Sequence, residues 1–220
     1  MVNFFDIKVL KGEKMKKQIC ILTKSLKDHD YCVAGIEITT GKWIRLVTSK
    51  DGGAFPKKML DDQHFKEFNV LDVEVKEYSP YYVQTENWLI DEKVEIKKIG
   101  SLSKQQVFNL HPIEKPAMIF NNSKNELEHN EIKMLNHSLE MINVKKIQLD
   151  TSMKGDGRHH YKVNFEYNEH EYNLSLTDPK YRNEDYDQIR IPNATIIVSI
   201  PAIPYGENDL YYKFVAKILI

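Results

Sequence analysis

The 220-residue sequence has little of what several protein classes require. Only 9 glycines and 8 prolines, beside 41% hydrophobic residues, exclude a collagen-like, low-complexity or wholly disordered chain. Two cysteines, Cys20 and Cys32, with no close Cys/His pairing, give neither a disulfide framework nor a zinc site. The longest apolar runs, 194–200 and 214–220, are far shorter than the roughly 20 residues of a membrane helix. These absences predict a folded protein without a membrane span, in a reducing compartment.

Complete catalytic and cofactor motifs are also missing. The sequence contains no G-x-S-x-G, H-E-x-x-H, P-loop or dinucleotide-binding fingerprint. Asp61 and Asp62 with His64 are a weak candidate for a divalent metal and nuclease chemistry, because neighbouring acids on a surface loop are usually solvated. We therefore predict a protein with no catalytic residue, no cofactor and no metal, and an enzyme acting on a small molecule remains an alternative.

The N-terminal residues lack the long apolar region and the cleavage site of a secretory signal, so a cytoplasmic location is expected. The stretch 11–15 would be encoded by purine-rich codons that look like a ribosome-binding site before a start codon. Residues 1–15 are therefore either a leader with a misplaced start, in which Met15 is the first residue, or a genuine extension.

Charge is balanced over the whole chain but not along it. The net charge is -1, whereas residues 1–50 carry 10 Lys plus Arg against 5 Asp plus Glu. The basic side chains of this first segment either form one electropositive face or are ordinary solvated residues that discourage strand pairing.

Short runs rich in β-branched and aromatic residues predict two sets of about five strands. The first set is expected at 17–23, 31–38, 42–47 and 69–78, with a fifth strand at 94–96. The second set is expected at 145–149, 161–167, 171–176, 195–200 and 210–220. Between them, Ser103 predicts the cap of a short helix, and the spacing of apolar residues from Glu126 to Met141 predicts another helix.

This organisation predicts a mainly β fold of two small OB-like barrels joined by a helical connector. The boundaries are 16–100 for the first barrel, 101–143 for the connector and 144–220 for the second barrel. A single larger β-sandwich is the alternative, because strand count alone does not separate the two folds.

Several motifs, in order and spacing, resemble one known family. The opening pieces are Ile21–Ser25, Tyr31–Glu37 and Thr40–Val47, and later pieces are Val70–Asp72, Gln84–Trp88, Leu176–Pro179 and Tyr212–Lys217. Together they resemble the dual OB-containing domain family over nearly the whole chain after Met15, with Leu46 where proline is more usual. The resemblance implies two fused OB-type barrels in a small bacterial protein, with a role in binding nucleic acid or nucleotides and in defence against foreign genetic elements.

Candidate binding residues in the first barrel lie on one strand and in the loop after another. An OB barrel binds single strands by combining cations with exposed aromatic rings. Trp43 and Arg45 are two apart and share a strand face, so Trp43 is a stacking platform with Arg45 on phosphate, or it is a core residue covered by Arg45. Lys24, Ser25 and Lys27 are expected in a loop after the first strand, as phosphate contacts or as a merely soluble loop.

Candidates in the second half are more scattered. Arg158, in the glycine-rich stretch 155–160, is a phosphate contact or part of a hairpin tip, and Lys180 with Arg182 follows a Thr-Asp-Pro turn that either caps locally or covers a ligand. Eight of the 12 tyrosines lie after residue 160 and either stack bases or line a core. Residues 86–88 are a recognition edge or a structural corner.

We predict a non-catalytic binding module for single-stranded nucleic acid or a nucleotide-like ligand. A subunit or sensor of a larger protein assembly is the alternative, and an exposed apolar patch around Tyr205, Tyr211 and Tyr212 would favour it. A deep pocket that unites Arg158, His159 and an acid would favour an enzyme instead.

Overall fold

The computed structural model describes residues 15–27, 29–61, 64–93, 95–153, 159–182, 188–205 and 209–220. The strands, in chain order, are β1 (Met15–Lys27), β2 (Asp30–Glu37), β3 (Trp43–Val47), β4 (Asn69–Tyr78), β5 (Asn87–Ile90), β6 (Lys97–Ser101), β7 (Glu126–Leu127), β8 (Leu139–Met153), β9 (His159–Tyr167), β10 (His170–Leu176), β11 (Gln188–Ser199), β12 (Tyr211–Tyr212) and β13 (Phe214–Leu219). The helices are α1 (Lys57–Asp61), α2 (Lys104–Leu110) and α3 (His129–Ile132), with 3-10 turns at Ile119–Asn121 and Pro179–Tyr181.

The first five strands form a ring in the order β1-β2-β3-β5-β4, because β1 pairs with both β2 and β4. Only β3 and β5 are parallel. Strand β6 adds to β4 outside this ring. Of the strand predicted at 94–96, residue 94 lies outside the described residues, and 95 and 96 are not in a strand. The fifth strand is β5, which pairs with β3 and β4 and buries Leu89 and Ile90.

The second ring repeats the order of the first. It is a closed barrel of β8-β9-β10-β13-β11, and only β10 and β13 are parallel. Two five-stranded rings with one strand order confirm two OB-like barrels and exclude the single sandwich. The domain boundaries drawn from the sequence stay a prediction, although β8 already begins at Leu139.

The segment between the barrels contains only short elements. Helix α2 has the predicted cap, since the Ser103 side chain accepts from the backbone N–H of Gln106, whose own side chain accepts from Ser103 N–H. The helix predicted over 126–141 is wrong. This stretch forms β7, the single turn α3 and the start of β8, because Leu139 and Met141 alternate into a buried strand face.

Three apolar clusters hold the molecule together. One fills each barrel, and a third lies where the barrels meet. In the first barrel β1 sends Ile19 and Ile21 inward, and Cys20 and Leu22 outward into the third cluster. The second barrel adds to this third cluster Leu139, Met141, Ile197 and Leu219. Strands β1 to β3 are therefore buried on both faces.

Glycine at position 35 allows β1 and β2 to approach closely. A Cβ atom at Gly35 would lie 2.0 Å from the carbonyl oxygen of Cys20 on the paired strand. Any other residue at this position would force the backbones apart.

Candidate ligand site between the two barrels

Arg45 is buried beneath the second barrel. Its side chain is 3% exposed, and Nη2 lies 2.9 Å from Glu86 Oε1 and 2.8 Å from Ser138 Oγ, while Nε donates to the same Glu86 oxygen at 3.0 Å. Nη1 contacts Cys32 Sγ. Burial alone would lower the pKa of Arg45, but neighbouring Cys32 and Glu86 raise it overall. The guanidinium is therefore committed to internal partners.

Trp43 packs at the same interface. Its ring is half-buried against the third apolar cluster, Nε1 donates to Glu114 Oε1 at 3.3 Å, and His111 meets the ring edge at 5.2 Å. Among the described residues, no cation stacks on the Trp43 ring, so the predicted cation-π contact with Arg45 is absent. Trp88 makes such a contact instead, with Lys17. Trp43 and Arg45 do not form the predicted landing surface, because Glu114 and Ser138 from the segment between the barrels contact these two side chains.

Lys24, Ser25 and Lys27 belong to a strand rather than to the predicted loop. β1 continues to Lys27, with Ser25 opposite Cys32 and Lys27 opposite Asp30 on β2. Lys24 Nζ donates to the carbonyl of Phe65 at 2.6 Å, and Lys27 Nζ to that of Gly52 at 2.8 Å. Lys27 is exposed, whereas Ser25 is buried. Lys27 therefore presents a cation at the protein surface, and Ser25 presents a hydroxyl group in the interior.

A cavity of about 400 Å³ lies between the two barrels at this end of β1. We call it the inter-barrel pocket. The first barrel contributes Ser25, Leu26, Lys27, Cys32, Arg45, Leu46, Val47, Asp51, Gly52, Gly53, Ala54, Tyr81 and Gln84. The second contributes Thr177, Ser199, Ile200, Pro201, Ala202, Ile203, Pro204, Tyr205 and Phe214. Three predicted site residues, Ser25, Lys27 and Arg45, therefore meet at one pocket.

The sequence matches one protein-family model over almost its whole length. The model of the dual OB-containing domain matches residues 17–218. The chain belongs to the dual OB-containing domain family. No curated protein matches it.

Solved structures with a similar fold are distant from this dual OB protein. The p204 HINb domain is 10% identical at a TM-score of 0.40, covering 92% of this chain and 97% of its own. The Ifi202 HINa domain in complex with 20bp dsDNA is 12% identical at 0.34, covering 91% of each chain. A murine DNA binding protein bound with ds DNA is 8% identical at 0.33, covering 94% and 98%. These values are too low to carry a function from one protein to another.

The Thr-Asp-Pro turn joins the two OB barrels. Backbone N–H of Leu26 in β1 donates to the carbonyl of Thr177 at 2.9 Å. Asp178 caps the following 3-10 turn as predicted, accepting from Lys180 N–H, and it also holds Lys217 Nζ at 3.1 Å. Lys217 reaches across to Glu67 of the first barrel at 2.6 Å. Burial lowers the pKa of Lys217, but Asp178 and Glu67 outweigh burial and raise it.

The remaining predicted cations of the second barrel stand beside this turn, outside the lining of the pocket. Lys180 Nζ lies 5.0 Å from the Tyr181 ring and the Arg182 guanidinium 5.3 Å from the Tyr161 ring. The 3-10 turn that contains Lys180 packs against β1. Arg158 lies outside the described residues.

The other sequence candidates are structural. Tyr161 and Tyr167 share a side of β9, as predicted, and that side is the barrel core. Glu86 and Asn87 are buried at the start of β5. Among the described residues, no group of three His, Cys, Asp or Glu side chains is placed to hold a metal, and no helix is long and apolar enough to cross a membrane.

Sequence reasoning missed most of the pocket wall. Cys32, Tyr81 and the loop 200–205 come from segments far apart in the chain, and only the packing of the two barrels brings them together. One signal was available: Pro201, Pro204 and an unpaired Tyr205 mark a loop with an aromatic tip.

Proposed function

We propose that this dual OB protein is a non-catalytic binding module for nucleic acid or a nucleotide-like ligand, and that the ligand enters at the inter-barrel pocket. The observation that carries the proposal is the convergence there of an exposed cation, Lys27, with aromatic side chains from both barrels, Tyr81 and Tyr205. A cation beside stacking rings is what sequence-tolerant binding of single strands requires.

The aromatic side chains around the pocket are accessible. Tyr205 is 73% exposed and Tyr82 is 70% exposed, and the ring of Tyr82 packs edge-on at 4.7 Å from that of Tyr81. Exposed tyrosine faces are available to unpaired bases but not to the stacked interior of a duplex. This supports a single-stranded partner.

The electrostatic contribution is small. Lys27 lines the pocket, whereas Lys24, Lys180 and Arg182 lie outside its lining. Since the chain carries a net charge of -1 and few cations converge, binding should be modest in affinity and sensitive to salt.

Fluorescence anisotropy with labelled single-stranded DNA and RNA, repeated across salt concentrations, tests the proposal. Tyr205→Ala should weaken binding about fivefold or more, the value of one lost stacking contact. Lys27→Gln should flatten the salt dependence by about one ion. Lys97→Gln, an exposed lysine of β6 outside the pocket lining, is the matched control and should change little. Absence of binding to either nucleic acid at low salt would contradict the polymer form of the proposal.

The finer expectations stay predictions. A role in defence and a cytoplasmic location follow from the family resemblance and from the sequence alone. Of the three tyrosines that would form a patch for a protein partner, Tyr205 is exposed, whereas Tyr211 is 4% exposed and Tyr212 is half-buried.

A further inference from the structure

The inter-barrel pocket has the size of a small-molecule site. Its volume of about 400 Å³ lies within the range of roughly 300–1,000 Å³ in which proteins enclose small ligands. Such a space holds one nucleotide unit, whereas the rest of an oligonucleotide must remain outside. Both barrels build its walls, so the site exists only in the two-barrel arrangement.

The walls of the pocket are largely apolar. Leu46 and Val47 lie on one side, and Ile200, Pro201 and Phe214 on the other. These side chains bury the faces of a flat ring better than they bury a flexible polar ligand. Tyr81 and Tyr205 add aromatic rings to the same lining.

Two hydroxyl groups interrupt this apolar wall. Ser25 and Ser199 are both buried, come from different barrels and line the pocket. A hydroxyl group can donate one hydrogen bond and accept others. Both hydroxyls can therefore pair with polar edge atoms of a bound ring.

Charges of both signs line the pocket as well. Lys27 uses one of its three N–H donors on the carbonyl of Gly52. Asp51 is exposed and also lines the pocket. A hydrogen bond from the Ser49 hydroxyl, and to a smaller extent the charge of Lys27, lowers the pKa of the Asp51 carboxyl group. A lysine suits a phosphate, and a carboxylate accepts hydrogen bonds from sugar hydroxyls.

We propose that the inter-barrel pocket binds a single ribonucleotide unit, with the base between the apolar walls, its edge on Ser25 and Ser199, its sugar at Asp51 and its phosphate at Lys27. This assignment rests on the proposed function and names its ligand class. Arg45 also lines the pocket, where its ion pair with Glu86 fixes the position of the guanidinium.

The test measures binding of the four ribonucleoside 5′-monophosphates, of adenosine and of inorganic phosphate to the full chain by calorimetry. At least one monophosphate should bind with a Kd of about 1 mM or tighter. Ala202→Phe, which fills the pocket from the loop 200–205, should weaken it at least about tenfold. Ser199→Ala should weaken it about threefold to tenfold, and Lys27→Gln should remove the preference for AMP over adenosine. Lys97→Gln is the control, and an unchanged melting temperature verifies folding.

Cys32 gives a second readout that does not depend on any variant. It lines the pocket, whereas Cys20 is fully buried and burial raises its pKa to about 12. A thiol reagent should therefore modify Cys32 alone, and the bound monophosphate should slow that modification about tenfold or more, as peptide mass spectrometry can locate.

The outcomes separate this inference from the proposed function. Saturable binding that Ala202→Phe abolishes supports the pocket. If none of the four monophosphates binds or protects Cys32, the pocket assignment is wrong, and it is equally wrong if Ala202→Phe binds AMP as the parent protein does. If oligonucleotides still bind to Ala202→Phe, the protein remains a nucleic-acid-binding module, but the ligand does not enter at the inter-barrel pocket.

Discussion

The two barrels share one strand order but use their outer faces differently. In the first barrel, β1, β2 and β3 are covered by the second barrel, and the pattern of β2 is almost continuously buried. In the second barrel, β9 and β10 alternate between buried and accessible residues, as strands with one free face do. OB folds commonly bind ligands on the face of their second and third strands. Here that face is occupied in one barrel and free in the other.

The free face of the second barrel does not resemble a ligand surface. Its accessible side chains along β9 and β10 are mixed in charge and polar, among them Lys162, Asn164, Glu166, Glu171 and Asn173. Its tyrosines point into the core. Among the described residues, the pocket between the barrels combines a cation, aromatic rings and a cavity.

The largest expected effect is a loss of stability caused by a substitution in the first barrel. Gly35→Ala places a Cβ atom 2.0 Å from a carbonyl oxygen of β1, so it should cost more than about 3 kcal/mol of unfolding free energy or prevent folding. Gly100→Ala, where a Cβ would meet nothing within 4 Å, is the matched control and should stay within about 0.5 kcal/mol. Urea unfolding monitored by tryptophan fluorescence compares the two. Equal stability of both variants would contradict the close β1–β2 approach.

The second largest loss of stability is expected on the covered face of β3 in the first barrel. Arg45→Met should destabilise the protein by about 3–5 kcal/mol, because Glu86 would remain buried without its ion pair. Adding Glu86→Gln should recover part of the loss, since the stranded charge is removed. Chemical denaturation of the parent, single and double variants measures this. If Arg45→Met cost less than about 1 kcal/mol, the side chain would be exposed and the covered face would be wrong.

A smaller effect is specific to the second barrel. Lys213 is 1% exposed, its ammonium donates to Asn122 and Lys124, and burial lowers its pKa from 10.5 to about 8. Between these values the unfolded chain binds more protons than the folded chain, so stability rises with pH. We expect a gain of about 2 kcal/mol between pH 7 and 9.5 from this group. Lys213→Met should lose that gain, whereas Lys97→Gln should keep it. Identical pH profiles for all three proteins would contradict the buried ammonium.

The smallest effect distinguishes the two ends of the interface. Lys217 bridges Glu67 and Asp178 at the barrel junction but retains partial access through Glu67, whose side chain is 29% exposed. Lys217→Met should therefore cost less than Arg45→Met, about 1–3 kcal/mol. Thermal unfolding at neutral pH compares the two variants. A larger loss of stability for Lys217→Met than for Arg45→Met would contradict the assignment of Arg45 as the more buried of the two residues.

Much of the fold was predictable from the sequence because local alternation and turns specify an OB meander. The strands β2, β3 and β4 follow directly from runs rich in β-branched residues. The short strand β5 was missed, because its four residues have no alternation and depend on pairing with β3. The false helix over 126–141 arose because apolar residues of a turn, a single helical turn and a strand happened to fall at helical spacing.

The site was less predictable because it depends on how the barrels pack. Ser25 and Lys27, predicted as phosphate contacts in a loop, lie on β1 and line the pocket, whereas Trp43 and Arg45 lie on a covered face of β3. The run Ile19–Leu22 is apolar at four successive positions, which is the pattern of a strand buried on both sides. That pattern by itself indicates a covered outer face on the first barrel. No local pattern, however, places residue 25 beside residue 199.

Photo-crosslinking tests the central claim most directly. A single-stranded oligonucleotide that carries 4-thiouridine would be irradiated with the full chain, and the modified peptides identified by mass spectrometry. We predict crosslinks to Tyr81, Tyr82 and Tyr205 around the inter-barrel pocket. Crosslinks confined to the free face of β9 and β10 would show that the ligand binds the second barrel in the usual OB manner, and would contradict a ligand site between the barrels.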